Sequence, residues 1–389
     1  MKVLQINTTY NIGSTGRIMA GIDKILVDAG IDSYCAFGYG SHVDDHHYKI
    51  INTIDSKLHN VQSRLNDSQG LHSTYKTKKF VKYIEKVNPD IVHLHNLHGN
   101  YLDYQVLFEY LQRSSCKVVW TLHDCWAFTG HCAYFDMARC EKWKSECRDC
   151  PQSKCYPPAI KDNSLYNFNI RKKLFTSLGT RLTMVPVSDW LAGLLKKSFF
   201  SRNKIVTIHN GINLSYFRHY EISTDKPYIL GVASPWDKRK GLEDFVRLRE
   251  ILDPSIGITL VGLKPNQIAS LPVGIKGIEK TNNVEELAKM YSAASVFVNT
   301  TYEDNYPTVN LESIACGTPV ITYRTGGSPE SVKEGCGLTI SQGNIKELAK
   351  AIGNVIGEKL PPEKLVLFAK AHFDESECFR SYLKLYNTI

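Results

Sequence analysis

The chain has 389 residues, 43% hydrophobic and 22% charged, which places it among globular proteins of two domains at roughly 100–200 residues each. No apolar run reaches the ~18 residues of a membrane helix, and Met1–Tyr10, polar at Gln5 and Asn7, is too short for a secretory leader, so a cytoplasmic protein is expected. The net charge of +8 suits anionic partners such as nucleotide diphosphates or an anionic membrane face, whereas no helix-turn-helix, RNP-type or finger spacing supports nucleic acid.

Val3–Ile6 reads as a first strand. The small-residue turn from Gly13 to Gly16 and a helix over about Arg17–Ala29 complete a βα unit, without the full Gly-x-Gly-x-x-Gly fingerprint. Tyr34–Gly38 is a second strand, and His42–Tyr48 a solvated loop rather than a metal site. A helix over Thr77–Val87, a break at Asn88-Pro89-Asp90 and a strand over Ile91–Leu94 follow. His93, His95 and His98 lie close enough to invite a zinc reading, but strand ends of such sheets face the ligand crevice, and lining that crevice is the preferred role. Val118–Leu122 is the next strand and ends in His123-Asp124. Cys132, Cys140, Cys147 and Cys150 then fall within nineteen residues, flanked by Cys125 and Cys155. Cys147-x-x-Cys150 has the spacing of a zinc knuckle, and stable disulfides are disfavoured in a reducing cytosol. A structural zinc on four thiolates and a set of free thiols are both open.

Asn163–Leu178 reads as the helix that closes the first domain, followed by a strand over Arg181–Val187, a Ser188 helix cap, a strand over Ile205–Ile208 and a turn at Asn210-Gly211. Polar Ser215–Pro227 reads as a linker. Tyr228–Val232 opens a second α/β unit, and the basic loop Lys238-Arg239-Lys240-Gly241 stands before a helix over Leu242–Leu252, a context that favours phosphate binding. A strand over Ile258–Leu263 and a helix over Val284–Ala294 lead to the apolar run Val296–Val298. A polar loop over Thr300–Tyr306 separates that strand from a helix with Pro307 in its first turn, Thr308 and Val309 following, and Gly317 as its stop. Pro319–Tyr323 is a strand, and Ser328-Pro329-Glu330 starts another helix. Helices are expected over Ile345–Ile356, Glu363–His372 and Glu375–Tyr386. The helix N-terminus after the polar loop is a ready anion site, whereas Glu303, Asp304 and Glu312 would repel phosphate and suit hydroxyls. Together they suggest a nucleotide–sugar ligand.

Thr301–Gly327 resembles the acid-x7-Glu signature of the family 4 retaining glycosyltransferases, with Asp304 and Glu312 at that spacing and Ala315-Cys316-Gly317-Thr318-Pro319-Val320 behind them. The first acid is Asp304 with Glu303 one residue earlier, so either of the two can fill the first acidic role. The resemblance implies the GT-B fold, two doubly wound Rossmann-like α/β domains facing a cleft. It implies that the Gly13–Gly16 turn approaches the donor diphosphate, that Asn210-Gly211 is the hinge at the domain junction, and that Lys240-Gly241 holds donor phosphates. The family's further Arg falls on Ser234, leaving Arg239 or Lys238 to substitute. Tyr306, Thr308, Val309 and Glu312 complete the implied donor site, with Glu312 on ribose hydroxyls, Asp304 or Glu303 on the donor sugar and His123 contacting the sugar. His95, His123 and Asp124 are assigned to the acceptor side. WTLHDCWAFTGHC resembles bacterial polysaccharide glycosyltransferases that share these cysteines, and the insertion over about 125–155 is taken as an element beside the cleft.

The expected organisation is residues 1–185 as an acceptor-side domain, 186–373 as the nucleotide-sugar donor domain, and a last helix over 374–389 packing back on the first. The expected activity is retaining transfer of a hexosyl-type sugar from a nucleotide-diphosphate donor to a carbohydrate acceptor, lipid-linked, in bacterial surface polysaccharide synthesis at the inner face of the membrane. The family implies no metal in catalysis. The alternatives are a non-catalytic nucleotide-sugar binder, favoured by the Ser234 and Asp304 departures, and a same-fold nucleotide-sugar epimerase.

Overall fold

The structure is a computed structural model that describes residues 1–40, 44–333, 335–358 and 360–389. It divides into two compact units, residues 1–209 with 379–389, and residues 210–378. The N-terminal unit alternates strands and helices: β1 (Lys2–Thr9), α1 (Gly13–Asp28), β2 (Asp32–Tyr39), β3 (His47–Lys49), α2 (Thr53–Asn66), α3 (Thr74–Val87), β4 (Ile91–Leu94), α4 (Tyr104–Arg113), β5 (Lys117–Leu122), α5 (Ser164–Thr176), β6 (Leu182–Pro186), α6 (Asp189–Leu195) and β7 (Lys204–Ile205). All its strands are parallel, in the order β3-β2-β1-β4-β5-β6-β7. Such a sheet is covered on both faces, which is why Ile91–Leu94 and Leu182–Pro186 are buried at every position.

The C-terminal unit repeats the plan with β8 (Tyr228–Val232), α7 (Leu242–Ile251), β9 (Gly257–Val261), α8 (Pro265–Ala269), β10 (Ile275–Ile278), α9 (Val284–Ala293), β11 (Val296–Asn299), α10 (Thr308–Ala315), β12 (Val320–Tyr323), β13 (Gly337–Ile340), α11 (Ile345–Glu358) and α12 (Pro362–His372), and α13 (Glu375–Tyr386) starts in it and runs on into the N-terminal unit. Its strand order is β10-β9-β8-β11-β12-β13, again all parallel. In each sheet the order reverses beside one central strand, β1 next to β4 and β8 next to β11. Parallel sheets bind ligands outside the carboxyl ends of the strands at that reversal. The loops after β8 and β11 are therefore the ones to inspect in the second unit, and those after β1 and β4 in the first.

Several expectations change. The division falls at 209/210 rather than 185/186, because β6 pairs with β5 and β7 with β6, extending the first sheet. Residues 215–227 lie inside the second unit and are not a linker between the two; His219 Nδ1 lies 2.9 Å from the Cys316 carbonyl, and the Tyr220 N–H donates to Ser292 Oγ. The returning tail joins the first unit from Phe379. Of the expected loop over His42–Tyr48, His42 lies outside the described residues, while His47 begins a short edge strand in register with Cys35. The strand expected over Ile205–Ile208 is cut to two residues, although Val206 and Ile208 still donate to the Met184 and Pro186 carbonyls of β6. Pro307 caps α10 from an extended conformation instead of entering its first turn. Ser328–Ser331 forms one 3-10 turn and goes no further. Helix α2 escapes an apolar-periodicity reading because its buried face is Ser56, His59 and Ser63.

Part of α13 completes the N-terminal core. Phe379, Tyr382, Leu385 and Tyr386 are buried there; Tyr386 Oη lies 2.6 Å from His93 Nδ1, and Tyr382 Oη 3.0 Å from Thr121 Oγ1. Truncating the fully buried Tyr382 to Ala is expected to destabilise the unit by about 3–5 kcal/mol, by analogy with large aromatic deletions. Tyr386→Phe, which loses a hydrogen bond and keeps the ring, should cost about 1–2 kcal/mol. Urea melts of the two variants against the parent chain measure the difference.

Candidate active site

In the C-terminal unit, β8 ends in the loop Ala233–Gly241 and β11 in Thr300–Tyr306. The two loops are tied by backbone: the Tyr302 N–H donates to the Arg239 carbonyl at 2.7 Å, and Thr300 Oγ1 donates to the Lys240 and Gly241 carbonyls at 3.1 Å each. Gly241 takes φ +70°, and a Cβ there would stand 2.3 Å from the Thr300 carbonyl oxygen. The Lys-Gly pair is thus a requirement of close approach, in a region of backbone space that favours glycine. Asp237 caps the turn through the Lys240 N–H.

Across this junction Lys240 Nζ meets Asp304 Oδ2 at 2.5 Å, with both side chains mostly buried. The Arg239 guanidinium donates to the Glu303 carbonyl at 2.7 Å, whereas Lys238 is exposed. Of the two cations able to stand in at the Ser234 position, Arg239 is the one built into the loop. Glu303, Asp304 and Tyr306 are buried, at 3%, 9% and 7% exposure, in a segment without regular structure. Thr308 and Val309 open α10 half-buried, and Glu312 sits on its buried side. Its Oε2 accepts from Tyr291 Oη at 3.1 Å, and burial followed by that carboxylate pushes the Tyr291 phenol well above its ordinary range.

Two supporting groups were not visible in the sequence. Tyr291, on α9, orients Glu312, and no local pattern marks it. Asp244, in the first turn of α7, accepts from Tyr302 Oη at 2.8 Å and Tyr323 Oη at 2.7 Å, pinning the acidic loop to β12. Its signal was weak, an acid adjoining Phe245 on the buried side of a helix. Asn210 and Gly211 begin the C-terminal unit. A Cβ on Gly211 would meet Glu375 Cα at 2.5 Å, so this turn packs tightly under the start of α13.

In the N-terminal unit, Gly13 has φ +66° and starts α1, while Gly16 lets the helix pack on the end of β1, where a Cβ would meet Thr9 Oγ1 at 2.7 Å. The helix begins earlier than expected because the turn itself coils. Beyond β4 and β5 lies a histidine chain. His95 Nε2 is 3.2 Å from Gln5 Oε1, and His95 Nδ1 is 3.2 Å from His123 Nε2. With Gln5 accepting, His95 carries its proton on Nε2 and receives one from His123. Separately, His98 Nε2 pairs with Asp124 Oδ2 at 2.8 Å, and the Trp126 N–H donates to Asp124 Oδ1. His93 is tied to Thr121 and Tyr386. These contacts are hydrogen bonds among histidines and hydroxyls, not a convergence of three ligands.

Burial lowers the His93 imidazole to about 3 and that of His95 well below 6.5; it lowers His123 to about 4 against the pull of Asp124. Burial would raise the Asp124 carboxyl, but pairing with His98 and the Trp126 N–H leaves it lowered. His123 is therefore neutral at physiological pH, a hydrogen-bonding group rather than an acid.

The cysteines form their own cluster. Cys132, Cys140, Cys147 and Cys150 line one small cavity with His131, Phe135 and Trp143. A hydrogen bond from Cys132 lowers the Cys150 thiol to about 7, and burial raises that of Cys147 to about 12. Elsewhere Asp23, Cys35 and His47 bring three ligating atoms within 4.8 Å, but the Asp23 carboxylate already accepts from Tyr10 and Ser33.

Comparison with known proteins agrees with this architecture. The chain matches Glycosyltransferase Family 4 over residues 26–216 and Glycosyl transferases group 1 over residues 226–358. The chain belongs to the family 4 glycosyltransferases. It is 24% identical to a putative colanic acid biosynthesis glycosyl transferase, WcaC, of Escherichia coli, over the whole of both chains. It is also 24% identical to an N,N'-diacetylbacillosaminyl-diphospho-undecaprenol alpha-1,3-N-acetylgalactosaminyltransferase of Campylobacter jejuni, over 52% of this chain and 59% of that one. Among solved structures it resembles sucrose-phosphate synthase of Thermosynechococcus elongatus (TM-score 0.72, 18% identity, 100% and 98% covered) and HepE of Anabaena in complex with UDP-glucose (TM-score 0.69, 14% identity, 100% of both covered). These likenesses establish the GT-B fold for this glycosyltransferase.

The neutral histidines set a pH dependence. The folded enzyme keeps His93, His95 and His123 uncharged where the unfolded chain would titrate near 6.5, so the stability they allow is present above that pH and is lost as pH falls toward 4. The melting temperature should fall steadily from pH 6.5 to about 5, above the ordinary carboxylate range. His95→Gln should flatten that slope, which a thermal melt series across the same pH window measures.

Proposed function

We propose that the enzyme is a retaining glycosyltransferase that moves a sugar from a nucleotide-diphosphate donor to a lipid-linked carbohydrate acceptor in the assembly of a bacterial surface polysaccharide. The observation that carries this reading is the Lys240–Asp304 pair at the reversal of the second sheet, with Glu312 on the helix that follows. Cations on one loop suit a diphosphate, and carboxylates on the next suit sugar and ribose hydroxyls. Likeness to WcaC supports the polysaccharide setting, the Campylobacter relative supports a diphospho-undecaprenol acceptor, and HepE with UDP-glucose supports the donor class.

In this reading Glu312, held by Tyr291, binds the ribose hydroxyls. Lys240 and Arg239, with the free amides at the start of α10, stabilise the departing diphosphate. Lys240 moves from Asp304 to the phosphate as the donor enters, freeing that carboxylate for the donor sugar; Glu303 is the alternative for this acidic role. In the N-terminal unit, neutral His123 is the group for a sugar hydroxyl, and the Gly13–Gly16 turn offers amides to the donor diphosphate. In this reading no metal takes part in the transfer. No helix among the described residues is long and apolar enough to cross a membrane. A net charge of +8 suits docking at the anionic cytoplasmic leaflet, where the acceptor would be found.

Thermal shifts with UDP, GDP, ADP and CMP at matched concentration test the donor site, since a ligand of the folded state raises the melting temperature. One nucleoside diphosphate should shift it clearly. Glu312→Ala should weaken that ligand at least about tenfold, roughly 1.4 kcal/mol. Asp304→Asn should keep binding and lose transfer. No shift with any nucleotide would overturn the assignment, while binding and sugar isomerisation without transfer would make the protein an epimerase.

A further inference from the structure

The cavity lined by the cysteines shares no residue with the site proposed for transfer, and its surroundings point to a metal. Residues 125–155 contain no helix longer than one 3-10 turn and no strand, yet Phe128, Phe135 and Trp143 in it are buried against one another. Four thiols from this segment border a cavity of about 10 Å³, the room of a single small atom.

Three observations around it point to a cation. First, His131 is 1% exposed, its Nδ1 lies 2.6 Å from Asp67 Oδ1, and its Nε2 has no partner among the described residues. A buried imidazole anchored by a carboxylate, with its other nitrogen open toward thiols, is the arrangement found beside bound metal ions. Second, backbone donors serve the sulfurs: the Gly130 amide hydrogen-bonds to Cys147, and the Gln152 amide to Cys150, two residues before it. Such donors fix the direction of a sulfur side chain, as contacts behind metal-ligating groups do. Third, Arg171 is buried at 1% exposure, stacks 3.7 Å from the Trp126 ring and donates to the Trp126 and Thr129 carbonyls. A divalent ion on four thiolates carries two net negative charges, and a buried guanidinium bonded to Thr129, which lines the same cavity, offsets one of them.

We propose that Cys132, Cys140, Cys147 and Cys150 bind one structural zinc ion, with His131 facing the same centre, and that the ion holds residues 125–155 in shape. The sulfurs surround the cavity more loosely than a finished tetrahedral site, since no three of them lie within 4.8 Å of one another among the described residues. The ion therefore draws them inward, releasing the thiol protons to solvent as it binds.

The test is the metal content of the full chain, purified under reducing conditions without added metal. About one zinc per chain is expected, held through dialysis and released in step with thiol titration by a mercurial. Cys147→Ser and Cys150→Ser should lose it, while Cys155→Ser, altering an exposed thiol that does not line the cavity, should keep it. If the serine variants do not fold, mercurial release from the parent chain decides the matter. A folded chain without bound metal, zinc retained in Cys147→Ser, or cysteine pairs recovered as disulfides would each overturn the proposal. Donor binding is read separately by thermal shift, so failure here leaves the transferase assignment untouched.

Discussion

The loop that carries Glu303 and Asp304 is held by backbone pressed against backbone. A Cβ on Gly326, which has φ +52°, would lie 1.8 Å from the Asp304 carbonyl oxygen, and the Gly327 N–H donates to that same oxygen. On the opposite side Gly241 closes on Thr300. Between these approaches the Asp244 carboxylate holds Tyr302 and Tyr323. Residues 300–306 contribute no helix or strand of their own. Their shape is imposed by neighbours that leave no room for a side chain, which fixes where Asp304 meets Lys240. A site intended to bind charge is best held on such rigid supports.

The two units handle charge in opposite ways. The C-terminal unit sets its cations against internal partners, Lys240 on the Asp304 carboxylate and Arg239 on the Glu303 carbonyl. The N-terminal unit keeps His93, His95 and His123 buried and neutral, linked through Gln5, Thr121 and the tyrosines of α13. Neutral imidazoles there offer directional hydrogen bonds without a net charge.

Much of this architecture was legible from local pattern. Strands β4, β8 and β12 announced themselves as short apolar runs because a parallel sheet buries both faces of each strand. The Ser188 cap accepts from the Leu191 N–H as its residue type suggested, and α13 spans the stretch whose apolar spacing marked it. Asp304 and Glu312 were readable because seven residues of loop and helix separate them along the chain. The family's missing Arg at Ser234 was also visible, but the placement of the neighbouring cations was not, since only the fold shows Arg239 tied to the Glu303 carbonyl and Lys238 exposed.

What the sequence by itself determined was the alternation of strand and helix, the glycines at tight turns and the residue types of the site. Each depends on a few neighbouring positions, on side-chain period or on allowed backbone angles. The tertiary structure alone decided the pairings that cross the chain: Lys240 with Asp304, Tyr291 with Glu312, Asp244 with two tyrosines, His131 with Asp67, and Tyr386 with His93. It also decided the unit boundary, because whether β6 and β7 extend the first sheet depends on hydrogen bonds to β5 and β6, which no local propensity specifies. Such contacts arise when the sheet order brings distant segments together, and strand order is set by the packing of the whole unit.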